Sequence, residues 1–407
     1  MHGGRRRRKL DAVRHSHFAW ILTVGVAVSL SGCARTRDAD SDNEAFERAW
    51  TFAGQQLLRA NEGLAPSLHP RSTRADGRWS SVNAADWTSG FYPGCLWLLY
   101  EKTGDAAWRT RAQAQTADLE GQKSNTGDHD VGFRIMSSYG QGLRLTNEAA
   151  YRDVIHAAAR SLVTRFDPDV GCTRSWSFGS WKFPVIVDNM MNLELLLWSA
   201  ANGGDPAHRA IAISHALKTL ENHVRPDGGT YHVVDYDPQN GRVLARQTHQ
   251  GLADESTWAR GQAWGLYGFT MVHRYTNDQR FLDAATRLAD YTLARLPADS
   301  VAYWDFMAPD SPPPPRDTSA AAITASGLLE LSARTPGAER KVRYREAALS
   351  ILRSLAAPPY LADGSPSAGI LLHGVGSKPA GTEVDVSLIY GDYYFLEALR
   401  RYRSGVP

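Results

Sequence analysis

VHRYTND, residues 272–278, closes one apolar-periodic stretch and opens another, and the same joint recurs at three other places in the chain. Residues 100–105 (YEKTGD), 143–148 (LRLTNE) and 199–205 (SAANGGD) share its grammar. Each supplies a Gly or Asn where a helix must end, then an acidic residue where the next must be capped. Each is followed by a helix with an Ala-rich face, such as residues 157–159 and 284–285. Apolar residues recur at helical spacing in about twelve segments. They begin near Asn43, Ser89, Asp105, Asp130, Glu148, Asp188, Asp205, Ala259, Asp278, Asp317, Gly337 and Asp385. Helix pairs joined by short turns are antiparallel neighbours, and six such pairs close into a ring. The expected fold is all-α, an (α/α)6 barrel over residues 44–407. An open helical solenoid carries the same local signature.

The connections are asymmetric. Joints after the even-numbered helices are a few residues long, whereas those before the fourth, sixth, eighth, tenth and twelfth are long and rich in aromatic, polar and Gly residues. Examples are 174–184, 225–258 and 297–316. Within 225–258, the alternation of Tyr231, Val233 and Asp235 followed by a Pro-Gln-Asn-Gly turn at 238–241 predicts a β-hairpin. In a ring of antiparallel pairs the long joints all fall on one rim, and loops on one side of a rigid scaffold are where function is expected. Asp130, Asp188, Trp258, Arg260 and Asp385 converge on that rim from distant parts of the sequence.

Two of these are carboxyl groups at helix starts beside tryptophan-rich loops: Asp130 in HDVGF (129–133) and Asp188 in VDNMMN (187–192). Asp at that position is most often an N-cap. In a chain with 12 Trp, 16 Tyr and 12 Phe, many of them at helix starts, it also suits carbohydrate chemistry. Aromatic rings stack on the apolar faces of sugars, and desolvated carboxyls exchange protons near neutral pH.

The N-terminus reads as a processing signal. Residues 5–9 are basic, and residues 18–30 form an uncharged apolar run too short to span a bilayer and suited to a signal-peptide core. The run ends in Leu30-Ser31-Gly32-Cys33, which resembles a bacterial lipobox. Residues 1–32 are therefore expected to be a lipoprotein signal peptide, Cys33 the lipidated residue, and 33–43 a flexible tether. The protein is expected in the periplasm or at the cell surface, touching a membrane only through its lipid. The full chain holds 45 basic and 43 acidic residues, but six basic and one acidic lie in 1–32, leaving a formal charge of −3. That balance excludes a nucleic-acid footprint. Beyond Cys33 only Cys95 and Cys172 remain, which argues for two buried free thiols and against a disulfide framework, and no His/Cys cluster suggests a metal. No cofactor is expected.

HDVGF, VDNMMN, residues 227–238 (DGGTYHVVDYDP), 253–269 (ADESTWARGQAWGLYGF) and 379–399 (PAGTEVDVSLIYGDYYFLEAL) resemble glycoside hydrolase family 88, the unsaturated glucuronyl hydrolases. The resemblance runs from about residue 45 to the C-terminus. It implies an (α/α)6 barrel acting downstream of polysaccharide lyases, removing the 4,5-unsaturated uronic acid from the non-reducing end of the oligosaccharides those lyases release. In place of the two flanking carboxylates of ordinary glycosidases, it implies hydration of a vinyl ether: an aspartic acid protonates C4, water adds at C5, and the hemiketal opens. The acid and base maps onto Asp188, and the second essential aspartate onto Asp130. A helix N-terminus favours carboxylate, so burial against Met190, Trp176 and Trp181 and the charge of Asp130 must outweigh it if Asp188 is to act as an acid.

By the same resemblance Trp87, His129, Trp176, His232, Gln250, Trp258, Arg260 and Trp264 contact substrate. Arg260 is the natural partner of the uronate carboxylate, with Asp254 or Glu255 as its structural alternative, and Trp264, inside a helix, is nearly as well suited to the core. Asp305 and Asp385 read as structural caps. Lys378 precedes the last helix, where some family members contact a sulfate. His373 and Gly376 depart from the serine-bearing pattern of that preference, which leaves the source polysaccharide open. A glycan-binding lipoprotein without catalysis would keep the tryptophans and dispense with Asp188. An ordinary two-carboxylate glycosidase would use both aspartates, and an epimerase on this ring would rely on rim histidines such as His129, His232 and His249.

Overall fold

The computed structural model describes residue 1 and residues 25–405 apart from 63 and 66, with side chains described from residue 40 onward. The basic and apolar runs of the leader before residue 25 and the side chain of Cys33 lie outside what is described. Contacts divide the chain into Met1–Glu44 and Ala45–Pro407. The first helix, α1 (Gly25–Glu62), passes through residues 33–43, so the segment expected as a flexible tether has helical backbone. From Cys33 to Glu62 the sequence has no Pro and a single Gly, a composition that favours helix over coil.

From Ala45 the chain builds a closed double ring. In order come β1 (His69–Thr73), β2 (Trp79–Val82), α2 (Phe91–Thr103), α3 (Ala106–Ala117), α4 (Val131–Ile135), α5 (Gln141–Thr146) and α6 (Ala149–Val163). Then follow β3 (Phe166–Asp167), β4 (Cys172–Thr173), β5 (Pro184–Ile186), α7 (Asn189–Ala201), α8 (Ala207–Asn222), β6 (Val233–Tyr236), β7 (Val243–Gln247), α9 (Ala259–Thr276) and α10 (Gln279–Leu293). The chain finishes with α11 (Thr318–Arg334), α12 (Ala338–Leu355), β8 (Gly374–Ser377), β9 (Thr382–Val386) and α13 (Ile389–Ser404). A single π-helical turn, Met136–Gly140, joins α4 to α5, so the two pieces act as one interrupted helix.

The inner helices α2, α4–α5, α7, α9, α11 and α13 each pack on the next, and α13 returns to α2. The ring is closed, which removes the open solenoid. Inner helices touch neighbours on both sides and outer helices behind, so they are buried almost all round; residues 318–332 of α11 are all buried. The outer helix α10 instead alternates buried Phe281, Leu282, Ala284, Ala285 and Leu288 with exposed residues. Close approach needs small residues at two points. A Cβ on Gly268 of α9 would stand 2.5 Å from the Met190 Cβ of α7, and one on Gly132 would stand 2.4 Å from Asn192 Oδ1.

The joints behave as their sequences dictate. Gly104, Asn147 and Asn277 end their helices in left-handed backbone, with φ of 71°, 55° and 55°. Asp105 and Asp278 then cap the next helices through Ala107 N and Arg280 N. Glu148 stands at the cap of α6 but turns its side chain to Arg109 and Gln113 instead. The six outer-to-inner connections lie together on the opposite rim. They carry the predicted β6–β7 hairpin, which β5 extends to three antiparallel strands, and three further two-stranded pairs that periodicity did not foresee. Asp385 is one correction: it sits at φ 61° in β9 and pairs with His373, four residues ahead of the helix it was expected to cap. Cys95 and Cys172 are buried free thiols.

Candidate active site

Asp130 and Asp188 occupy the N-cap positions of α4 and α7, yet neither side chain makes a capping hydrogen bond. At α4 the neighbour does that work. Asp128 Oδ1 accepts from Asp130 N at 2.8 Å and pairs with Arg134 at 2.8 Å, which leaves the Asp130 carboxyl to face a cavity. At α7 the Asp188 side chain likewise faces the cavity, with Oδ2 buried and without a hydrogen-bond partner. A cap explains a carboxylate held by the first N–H groups of its helix; neither of these two accepts from them.

The cavity has a volume of about 380 Å³ and takes its lining from α4, α7 and α9, the 174–184 loop and the β8–β9 hairpin. Trp87, His129, Asp130, Trp176, Asp188, Gln250 and Arg260, all named from sequence, meet there. Burial is the largest influence on Asp188 and pushes it up to about 7, against the pull of Arg260 and a hydrogen bond from the Trp264 side chain. Burial also raises Asp130 well above the carboxylate range, reinforced by the charge of Asp128 and opposed by Arg134. The helix N-terminus therefore loses to desolvation, as an acid at this position requires.

Four of the expected contacts are placed differently. Trp264 is fully buried, packed on Phe133 and Tyr394 at 5.0 and 5.2 Å, does not line the cavity, and acts on the site by favouring ionised Asp188. Trp258 lies under Arg260, 4.3 Å from ring centroid to guanidinium carbon, and beside the His232 ring. His232 is buried behind Asp188, its Nε2 3.8 Å from Asp188 Oδ2. Lys378 is exposed in the β8–β9 turn and does not line the cavity.

Arg260 lines the cavity but is not a free clamp. It pairs with Asp317 at 3.0 Å and donates to the carbonyls of Val375 and Gly376, holding β8 against α9 and α11. Neither Asp254 nor Glu255 is its partner: Asp254 accepts from Thr248 N and Glu255 from the Tyr231 hydroxyl.

The cavity also contains His249, which the sequence offered only as a rim histidine of an epimerase, and Arg71, Phe178, Glu383 and Tyr390, which it did not single out. Phe178 and His249 lie in the long joints, and Tyr390 lies in the last quoted motif, so each had a signal. Arg71 had none, because its segment, HPRST at 69–73, carries no apolar alternation. It pairs with Glu383 and Asp86, both at 2.6 Å, and so ties the first rim loop to the last. Among the described residues, no group of three or more His, Cys, Asp or Glu could hold a metal ion.

Glycosyl Hydrolase Family 88 matches residues 64–394. An unsaturated glucuronyl hydrolase of Formosa agariphila is 44% identical over 326 residues, covering 79% of this chain and 80% of that protein. The crystal structure of an unsaturated glucuronyl hydrolase specific for heparin superposes with a TM-score of 0.86 at 41% identity, covering 89% of this chain and 98% of the other. The unsaturated glucuronyl hydrolase of Bacillus sp. GL1 superposes with a TM-score of 0.83 at 35% identity, covering 90% and 97%.

Proposed function

The chain belongs to glycoside hydrolase family 88 and is an unsaturated glucuronyl hydrolase, and from that premise we propose how its own residues carry out the reaction. The enzyme removes the 4,5-unsaturated uronic acid from the non-reducing end of lyase-generated oligosaccharides, of glycosaminoglycan or related type. The observation that carries the assignment of roles is the pair of uncapped carboxyls on one aromatic-walled cavity, with Asp188 pushed up to about 7.

Asp188 gives its proton to C4, the C4=C5 electron pair forming the new C–H bond, and positive charge develops at C5 beside the ring oxygen. Water bonds to C5 and returns a proton to Asp188. The bond between C5 and the ring oxygen then breaks, C5 becomes a ketone, and C1 collapses to an aldehyde as the aglycone leaves. Asp130, whose carboxyl burial raises well above its ordinary range, positions the substrate, with Trp87 and Trp176 as stacking walls and Gln250 as a polar contact.

Isotopes test this route. Turnover in deuterium oxide is expected to place deuterium at C4 of the released sugar, and turnover in ¹⁸O-water to place the label at C5, both read before the product exchanges. Label at C1 without early deuterium at C4 would restore an ordinary two-carboxylate glycosidase.

The double bond in the substrate is the product of β-elimination, so a polysaccharide lyase acts upstream. We further propose that the protein is a lipoprotein anchored through Cys33, in the periplasm or at the cell surface; the support is the basic run, the short apolar core and the Leu-Ser-Gly-Cys end of the leader. No helix among the described residues is long and apolar enough to cross a membrane. Cys33→Ala expressed from the full chain is expected to move the enzyme from the membrane to the soluble fraction without changing kcat; an unchanged distribution would remove the anchor.

A further inference from the structure

Each aspartate is faced by a buried histidine whose proton has already been placed by its surroundings. His232 Nδ1 lies 3.1 Å from the backbone N of His249 and 3.2 Å from that of Gln250. Both groups can only donate, so Nδ1 carries the lone pair and the proton sits on Nε2. That Nε2 is buried without a hydrogen-bond partner and stands 3.8 Å from Asp188 Oδ2, which is also without one.

His129 reaches the same state by another route. Asn192 Oδ1 accepts from Phe133 N at 2.8 Å, which fixes the amide, and its Nδ2 lies 3.1 Å from His129 Nδ1. The amide nitrogen can only donate, so His129 also carries its proton on Nε2, 3.4 Å from Asp130 Oδ1.

We propose that His232 is a tautomer-locked positioning residue whose Nε2–H catches the carboxylate that Asp188 becomes when it gives its proton to C4, and that the Asn192–His129 pair presents a likewise fixed Nε2–H to Asp130, which positions the substrate. The proposal rests on the hydrolase reading of the site. His232 keeps its own proton throughout; protonating Nδ1 would break two backbone hydrogen bonds in a buried position, which is why the ring stays neutral and cannot act as the base. Burial drives both histidines well below the usual imidazole range, His129 to about 3.

Other groups act on the same carboxyl. Arg260 and Trp264 from α9 favour ionised Asp188. Asp130, with Asp128 and Arg134 behind it on the α4 side, couples to Asp188 as a like charge. Arg71 and Glu383 stand across the cavity, and His249 and His223 beside His232. The His232 donor is distinct among these in that it and the Asp188 oxygen 3.8 Å away are both buried without a hydrogen-bond partner.

Nitrogen-15 spectra of histidine-labelled wild type are expected to show both rings neutral with Nε2–H throughout the range in which the enzyme turns over. An imidazolium or an Nδ1–H form at neutral pH would overturn the lock. Asn192→Asp replaces the donor by an acceptor and is expected to move the His129 proton to Nδ1 in the same spectra; an unchanged ring would also overturn it. His232→Phe is expected to lower kcat by about tenfold or more and to move the alkaline limb of the pH profile up by about one unit, the range for losing a hydrogen bond to a charged group. His232→Gln, whose amide nitrogen can take the place of Nε2–H, should return the limb toward wild type. A fall in kcat with an unmoved limb in both variants would make His232 structural only. Should the Phe variant fail to fold, the spectra and the Gln variant still decide. Failure of wild type on every unsaturated disaccharide would remove the hydrolase reading, while the spectra would still read the tautomers.

Discussion

Asp188→Asn is expected to lower kcat by roughly a thousandfold or more while the barrel stays folded, because general acid catalysis contributes on the order of 10²–10⁴ and an amide cannot give the proton. An amide at position 188 keeps the shape of the side chain and disturbs no cap, since Asp188 makes none. Wild-type kcat/KM needs the protonated acid. With Asp188 pushed up to about 7, kcat/KM should be level on the acid side and fall about tenfold per unit above neutrality. The Asn variant should show no such limb in whatever activity remains. Near-native turnover would exclude Asp188 as the donor.

The same substitution should stabilise the protein at alkaline pH, and the sign follows from linkage. The folded-state pKa of Asp188 is raised above its unfolded value of 3.8. The contribution to stability is therefore intact below 3.8 and lost as pH rises through about 7. Above that, the fold carries a buried carboxylate that the unfolded chain would solvate. A shift of about three units corresponds to at most about 4 kcal/mol, and to about 1–3 kcal/mol once water in the open cavity screens the charge. Urea melts of both proteins should coincide near pH 4 and separate in favour of Asp188→Asn at pH 8. Coincident melts at both values would mean that Asp188 is not desolvated in the resting enzyme.

That trade is also the reason the site was only partly legible in the sequence. Helix joints such as 272–278 obey local rules, Gly or Asn to stop and Asp to start, so the number of helices and the order of the ring could be read from them. Asp130 and Asp188 violate the local rule while sitting at its expected position, and only the presence of Asp128 beside one and the cavity beside the other reveals it. Long joints announced themselves by length and aromatic content, and with them Trp176, Gln250 and the 225–258 hairpin. Arg71 was invisible because its partners Asp86 and Glu383 are 15 and 312 residues away, and no periodicity encodes such pairing. Trp258 and Trp264 read as substrate contacts, with the core as the alternative for Trp264, because a tryptophan in a site motif looks the same whether it touches sugar or holds up the residue that does.

Arg260→Ala is the second large effect, and its character follows from the same distinction. The guanidinium is buried, with the Asp317 carboxylate at 3.0 Å; the two side chains are 2% and 0% exposed. Asp317 in turn caps α11 through Ser319 N and accepts from Val375 N at 3.3 Å, so the pair joins α9, α11 and β8. Removing the cation strands a buried carboxylate and the Val375 carbonyl, while Gly376 O keeps the Gln250 amide at 3.1 Å, a loss of about 3–5 kcal/mol. Adding Asp317→Asn should recover part of that stability, because it removes the stranded charge while keeping a capping oxygen. Activity should not return with it, since β8 would still lack its tie and Gly376 and Ser377, which line the cavity, would lose their register. The contrast between recovered folding and unrecovered turnover is the signature of a cation that builds the site. A variant with unchanged thermal stability and a raised KM alone would instead make Arg260 a free carboxylate clamp.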